Sequence, residues 1–174
     1  DVVRQTARLV RAAVAAKNLD GSSVGVIGGS FKGMGDFLVD SKELKKTFGI
    51  KLLEADNHEL RSLLSSISDS EVAAELAENE QKFAKGEDIN EENYLYNIKA
   101  CLAVRKWIEK HNLDAFSVNF LKIRDKTIDS MPFIEACKAM ERGIGYAGEG
   151  DALTAAFVGA FLKVIPDTSF IEIF

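Results

Sequence analysis

The stretch Ser23-Val24-Gly25-Val26-Ile27-Gly28-Gly29-Ser30 decides the fold of this chain. A short apolar run that ends in glycines reads as a strand buried on both faces, followed by a turn. Upstream, Val3, Ala7, Val10 and Val14 recur at helical spacing within residues 1–17. Downstream, a glycine-rich loop from Gly28 to Gly35 leads to a short helix over Ser41–Phe48, stopped by Gly49. Residues 50–55 suit a second strand. Asp56 with Glu59, and Ser68 with Glu71, read as capping boxes. They open one helix with Leu60, Leu63, Leu64 and Ile67 inward, and another with Val72, Leu76 and Phe83 inward, ended by Gly86.

The polar, acidic run 87–93 reads as a solvated loop. A long helix follows over 91–110, then a third strand over 114–120. Pro132 marks another helix start, with Phe133, Cys137 and Met140 on its stripe and Gly143 at its close. Residues 144–147 make a brief strand. Leu153, Phe157, Ala160, Phe161 and Val164 form a helical stripe that stops before Pro166, and a last strand is expected over Ser169–Phe174. Strands alternating with helices imply an α/β fold: a doubly wound parallel sheet of the flavodoxin or Rossmann type, with helices on both faces. In such folds ligands bind beyond the carboxyl ends of the strands. The loops of interest are therefore Gly28–Asp36, Asp56–Glu59, Phe120–Asp125 and Gly148–Asp151.

The 174 residues suffice for one domain with a full core. A hydrophobic share of 47% with 28% charged residues is a globular balance. The net charge of -5 argues against nucleic acid and anionic membranes as partners. No apolar run reaches transmembrane length, and no signal peptide is present. Cys101 and Cys137 both fall in helical patterns and read as reduced core thiols of a cytoplasmic protein. The chain starts at Asp1 and stops at Phe174 inside an apolar run, which reads as a piece of a longer protein.

Chemistry concentrates in two places. Glu149 lies between Gly148 and Gly150 at a helix start, with Asp151 behind it. Either it suits the positive end of that helix, or it is a working acid. Glu172 stands in the apolar run Ser-Phe-Ile-Glu-Ile-Phe; either it is an edge-strand acid facing solvent, or it is buried, where an acid is costly unless paired. Together they offer hard oxygen ligands suited to Mn²⁺ or Mg²⁺. The Gly28–Gly35 loop fits neither dinucleotide nor P-loop spacing; its glycines serve either plain turns or, with Phe31, Met34 and Phe37, a ligand-lining loop. His58, in a helix first turn, is either solvent-facing or near the site; His111 suits a helix C-terminus. Neither the two histidines nor the cysteines form a zinc or serine-triad pattern.

Gly-Tyr-Ala-Gly-Glu-Gly-Asp over 145–151 with Ala-Leu-Thr-Ala-Ala, then Thr-Ser-Phe-Ile-Glu over 168–172, resembles the L-arabinose isomerase and L-fucose isomerase superfamily, on the arabinose isomerase side. Gly-Gly-Ser-Phe-Lys-Gly-Met-Gly-Asp-Phe and Asp-Ala-Phe-Ser-Val-Asn-Phe extend the likeness over most of the chain. The resemblance implies that residues 1–165 are the middle domain of a three-domain enzyme and 166–174 the first strand of its C-terminal domain. It implies an aldose–ketose isomerase, in carbohydrate metabolism, using Mn²⁺ or another divalent ion. Glu149 and Glu172 match the two metal-binding, proton-shuttling glutamates, and Met34 and Phe120 match substrate-pocket positions. The family's two histidine ligands would lie beyond Phe174, so the chain alone is expected to be inactive. The family commonly has Trp where Ala152 stands and continues differently after Glu172, which leaves the sugar open. The implied parent is a homo-oligomer. The rival expectation is a non-catalytic nucleotide- or sugar-binding α/β module.

Overall fold

The structure, a computed structural model, describes residues 1–35, 37–123 and 128–171. Its elements in chain order are α1 (Val2–Leu19), β1 (Ser23–Ile27), α2 (Ser41–Phe48), β2 (Lys51–Glu54), α3 (Asn57–Ser65), α4 (Asp69–Lys82), α5 (Glu91–His111), β3 (Ala115–Val118), α6 (Phe133–Glu141), β4 (Gly145–Gly148) and α7 (Ala152–Leu162). The strands form one parallel sheet in the order β2-β1-β3-β4. Val24 lies opposite Leu52 and Ala115, and Ala115 lies opposite Gly145. The expected fold class is the one found. Among the described residues no helix is long and apolar enough to cross a membrane.

Alternation along the strands divides the core in two. Val24, Val26, Ala115 and Ala147 pack with Leu19, Leu44 and the alanines of α7 on one face. Ile27, Phe116, Val118 and Tyr146 pack with α3, α5 and α6 on the other. Gly25 lets the Trp107 indole lie against the centre of the sheet: a Cβ there would stand 2.3 Å from the ring.

The helix ends follow the sequence closely. Asp40, Asp56, Ser68, Asn90 and Asp151 each cap a helix with a side-chain oxygen. Ser68 and Glu71 form the full reciprocal box. The expected box at Asp56 is only half formed, because Glu59 turns to Lys110 (2.6 Å) and His111 (3.0 Å) instead. Phe83 does not point inward; it caps α4 in an extended conformation and is exposed.

Three buried faces also differ from their expected stripes. In α6 the inward residues are Glu135, Ala136, Lys138 and Ala139, while Phe133 and Cys137 are exposed. The reason is an ion network: Arg105 binds Glu75 (2.7 Å) and Glu135 (2.6 Å), and Lys138 binds Glu75 (2.6 Å). Arg142 also pairs with Glu135. Cys137 is thus no core thiol, whereas Cys101 is buried; both are free. In α7 the sheet is met by Ala152, Ala155, Ala156 and Gly159, and Phe157 and Phe161 face outward. The close seat of α7 on β4 leaves room only for small residues: a Cβ on Gly145 would stand 2.1 Å from the Ala155 carbonyl. On α1 the valines at 3, 10 and 14 are exposed, and Ala15 and Leu19 make the core contact.

Of the expected last strand, Ser169–Ile171 is irregular, and Glu172, Ile173 and Phe174 lie outside the described residues.

Candidate functional site

The strand order places the loops after β1, β3 and β4 side by side at one end of the sheet. The reversal in direction between β1 and β3 is where doubly wound sheets open a ligand crevice. These loops are tied together. Phe31 and Phe120, from the first two, meet edge-to-face with ring centroids 5.1 Å apart. Buried Asn119 donates its amide to the Gly28 carbonyl (3.4 Å) and accepts from the Leu121 amide (3.1 Å). Ser117 donates its hydroxyl to the Ala147 and Gly148 carbonyls, at 2.8 and 3.0 Å.

Glu149 stands where β4 ends and α7 begins. Its φ of 60° is left-handed, a conformation that bulky residues seldom adopt. Two bonds from the loop after β1 hold it there. The Phe31 amide donates to the Glu149 carbonyl (3.1 Å), and Ser30 Oγ donates to the Gly150 carbonyl (3.2 Å). Gly150, at φ 79°, admits this clamp because a Cβ there would stand 2.3 Å from the Gly29 carbonyl oxygen. Asp151 then accepts from the Thr154 amide (2.9 Å) and starts α7. The helix-capping role therefore belongs to Asp151, which leaves the Glu149 carboxylate without that structural duty.

Glu149 is half-buried at a cavity of about 250 Å³. Phe120, Met131, Phe133, Met140, Tyr146 and Phe170 give it an apolar wall, and Ile171 closes its rim. Of the site residues expected from sequence, Phe120 and Glu149 come together here. Met34 lies on the loop after β1, exposed, and is not part of this cavity wall. Glu172 lies outside the described residues, but Phe170 and Ile171 just before it line the same cavity as Glu149. His58 is exposed in the first turn of α3, and His111 is bound to Glu59. Among the described residues no group of three or more His, Cys, Asp or Glu side chains is gathered as a ready metal site.

Sequence reasoning missed the contributions of Met131, Phe133, Met140 and Tyr146. Phe133 and Met140 were hidden because the charged face of α6 is the buried one, which turns its apolar edge to the cavity, and Met131 lies in the irregular segment just before that helix. Ser30 and Asn119 were missed as supports, although each lies within two residues of a predicted strand end. Among the described residues the first helix after the Gly28–Gly35 loop begins at Ser41, so the described loop presents no helix N-terminus to a phosphate of a bound nucleotide.

A family model described as the L-arabinose isomerase central domain matches residues 39–167. Similar sequences include the L-arabinose isomerase of Serratia proteamaculans, 29% identical over 66% of this chain and 24% of that protein. That of Halalkalibacterium halodurans is 27% identical over 76% of this chain and 28% of its own length. That of Pediococcus pentosaceus is 28% identical over 59% of this chain and 22% of its own length. The chain spans about a quarter of the length of the curated relatives it matches.

Proposed function

Because the chain belongs to the L-arabinose isomerase central domain family, we propose that it is the part of an aldose–ketose isomerase that carries Glu149 and one wall of the sugar site. The observation that carries this reading is the setting of Glu149: an acid held in a left-handed turn by two loop contacts, at a cavity lined by Phe120 and Tyr146. Folding alone does not call for a carboxylate there, since glycine fits the backbone better and Asp151 caps the helix.

The proposed reaction moves a carbonyl from C1 to C2. One carboxylate takes the proton from C2 of the aldose and returns it to C1, while the O2 hydroxyl proton passes to O1. Positioned proton transfer of this kind contributes about 10²–10⁴-fold. Glu149 and Glu172 would hold a divalent ion, Mn²⁺ or Mg²⁺, whose bound charge would polarise two neighbouring sugar oxygens. The fit rests on donor chemistry: Glu149 offers hard oxygens beside the cavity, and the backbone leading into Glu172 lines that cavity too. The apolar wall would keep water from the enediolate. Phe120 supplies a sugar contact from the cavity wall, and Met34, on the loop after β1 outside that wall, is a second proposed contact to a sugar that extends beyond it. The substrate class is a pentose or deoxyhexose, with L-arabinose the first candidate from the relatives' names. Two free cysteines support a reducing, cytoplasmic setting for the parent.

Manganese binding by the 174-residue chain, followed by electron paramagnetic resonance of free Mn²⁺, tests the reading. One weak site is expected, lost in Glu149→Gln and in Glu172→Gln. A site indifferent to both changes would overturn the assignment. Ketose formation from L-arabinose by this chain alone is expected to be nil, and measurable turnover would contradict its proposed inactivity in isolation.

A further inference from the structure

A groove of about 500 Å³ lies between the end of α4 and the start of α5, with Ile134 of α6 in its wall. That volume is in the range of small-molecule sites. Phe83, Ile89 and Leu95 line it and are each more than two-fifths exposed. Large apolar side chains gathered in one concave place and left in water mark a binding surface.

Asn79 lines the same groove. It is 1% exposed, and its side-chain oxygen is buried without a hydrogen-bond donor among the described residues. Its Nδ2 donates to the Tyr94 hydroxyl oxygen (3.5 Å), so the unmet demand of this amide is for a donor. A buried unpaired acceptor is rare enough to need an explanation, and a donor arriving with a ligand supplies one. The surroundings are acidic: residues 78–92 hold six acids against two lysines. Glu80 lines the groove and takes part in no ion pair among the described residues. Lys85, paired with Glu91, stands over the Tyr94 ring, 5.1 Å from its centroid. A cation on an aromatic face is therefore already accommodated here.

Three demands define the occupant: an apolar body for the walls, one N–H donor for the Asn79 oxygen, and a positive charge for the acids. We infer that the α4–α5 groove binds a small arylalkylammonium ion, its ring against Phe83 and Leu95, a ring N–H donating to Asn79 Oδ1, and its ammonium beside Glu80. This orientation puts the neutral donor at the buried acceptor and keeps the charge at the exposed carboxylate, where it stays hydrated. An anionic ligand of the same shape would meet the acids unfavourably. The inference does not depend on the isomerase reading, since none of the groove residues lines the Glu149 cavity.

Titration of the intact 174-residue chain with tryptamine, followed by amide NMR shifts, tests the site. Saturable shifts are expected at Asn79, Phe83 and Ile89, with a Kd of about 1 mM for a ligand of this size. Tryptamine methylated on its ring nitrogen loses the donor and should bind about tenfold more weakly. Indolepropionate, which keeps the ring N–H but carries a carboxylate, should also bind about tenfold more weakly. Asn79→Leu, which keeps the branching of the side chain, should weaken tryptamine about tenfold and leave its ring-methylated form unchanged. Glu80→Gln should weaken tryptamine about threefold. The two ligand changes read the same contacts in the native chain, so they hold even if a variant fails to fold. No shift at the groove amides up to about 10 mM tryptamine would overturn the proposal. So would equal affinity for either altered ligand, tryptamine binding indifferent to Asn79→Leu, or shifts confined to the Glu149 cavity. Indole binding as tightly as tryptamine would overturn it too, and would make the groove an apolar docking face for another chain.

Discussion

Glu149 is a residue whose conformation and side chain pull in different directions. A left-handed φ of 60° costs a non-glycine residue about 1 kcal/mol, which glycine would not incur. Glu149→Gly is therefore expected to raise unfolding stability by about 1 kcal/mol while removing manganese binding, read by urea denaturation and by resonance of free Mn²⁺. Gly25 predicts the reverse. An alanine methyl would meet the Trp107 ring at 2.3 Å and Leu113 at 2.5 Å, both in the core. Gly25→Ala should lower stability by about 2–3 kcal/mol in the same experiment. The cysteines offer a third reading at this scale. Burial, as the largest influence, pushes the Cys101 thiol up to about 12, while Cys137 is exposed. A thiol reagent at neutral pH should modify Cys137 in the native protein and Cys101 only after unfolding; fast native labelling at Cys101 would contradict the packing of α5.

The joint of α4, α5 and α6 shows how one buried charge network sets the register of an element. Burial pushes the Glu75 carboxyl up, but the hydrogen bonds from Arg105 and Lys138, with their charges, outweigh it and hold it below its ordinary 4.5. A depressed carboxylate contributes stability that is fully present above the unfolded value and lost as pH falls through the folded one. Stability should therefore decline as pH drops below about 4.5, seen as a falling urea midpoint. Arg105→Met leaves buried Glu75 with Lys138 and buried Glu135 with Arg142 as their remaining partners, and should cost about 3 kcal/mol at neutral pH. It should also flatten the acid dependence, because Glu75 loses a partner that holds its proton affinity down.

The same network explains which elements were legible in the sequence. Strands β1 to β4 and most helix ends could be read directly, because apolar runs, glycine stops and Asp or Ser caps are local signals. The inward faces of α6 and α7 could not. An apolar stripe normally marks the buried side, but on α6 the partners of Glu135 and Lys138 come from α4 and α5, distant in sequence. On α7 the phenylalanines are displaced outward because the tight seat on β4 admits only Ala and Gly, a constraint set by Gly145 across the gap. At the site, the glutamate in its glycine setting was plain from the motif. The Phe133 and Met140 part of the cavity wall was not, because it follows from that same rotation of α6.

Over the whole molecule, the parallel sheet gathers the loops after β1, β3 and β4 at one end and leaves the α1 and α4–α5 surfaces elsewhere. The Phe31–Phe120 contact and the Ser30 clamp join the loops after β1, β3 and β4 into one unit. Ser30→Ala should loosen that unit as a whole, with faster hydrogen exchange at the amides of Phe31 and Asp151 but little change in the global unfolding midpoint. Faster exchange confined to residue 31 would show that the loops open separately.

The left-handed turn at Glu149 also bears on how such a domain would respond to directed evolution. A library of this chain ranked only by resistance to heat should enrich glycine at position 149, since that change relieves the backbone and touches no core contact. Each round would yield a hardier scaffold that had discarded its acid. Selection for thermal endurance and selection for manganese capture, the property proposed for Glu149, would thus part company at a single codon.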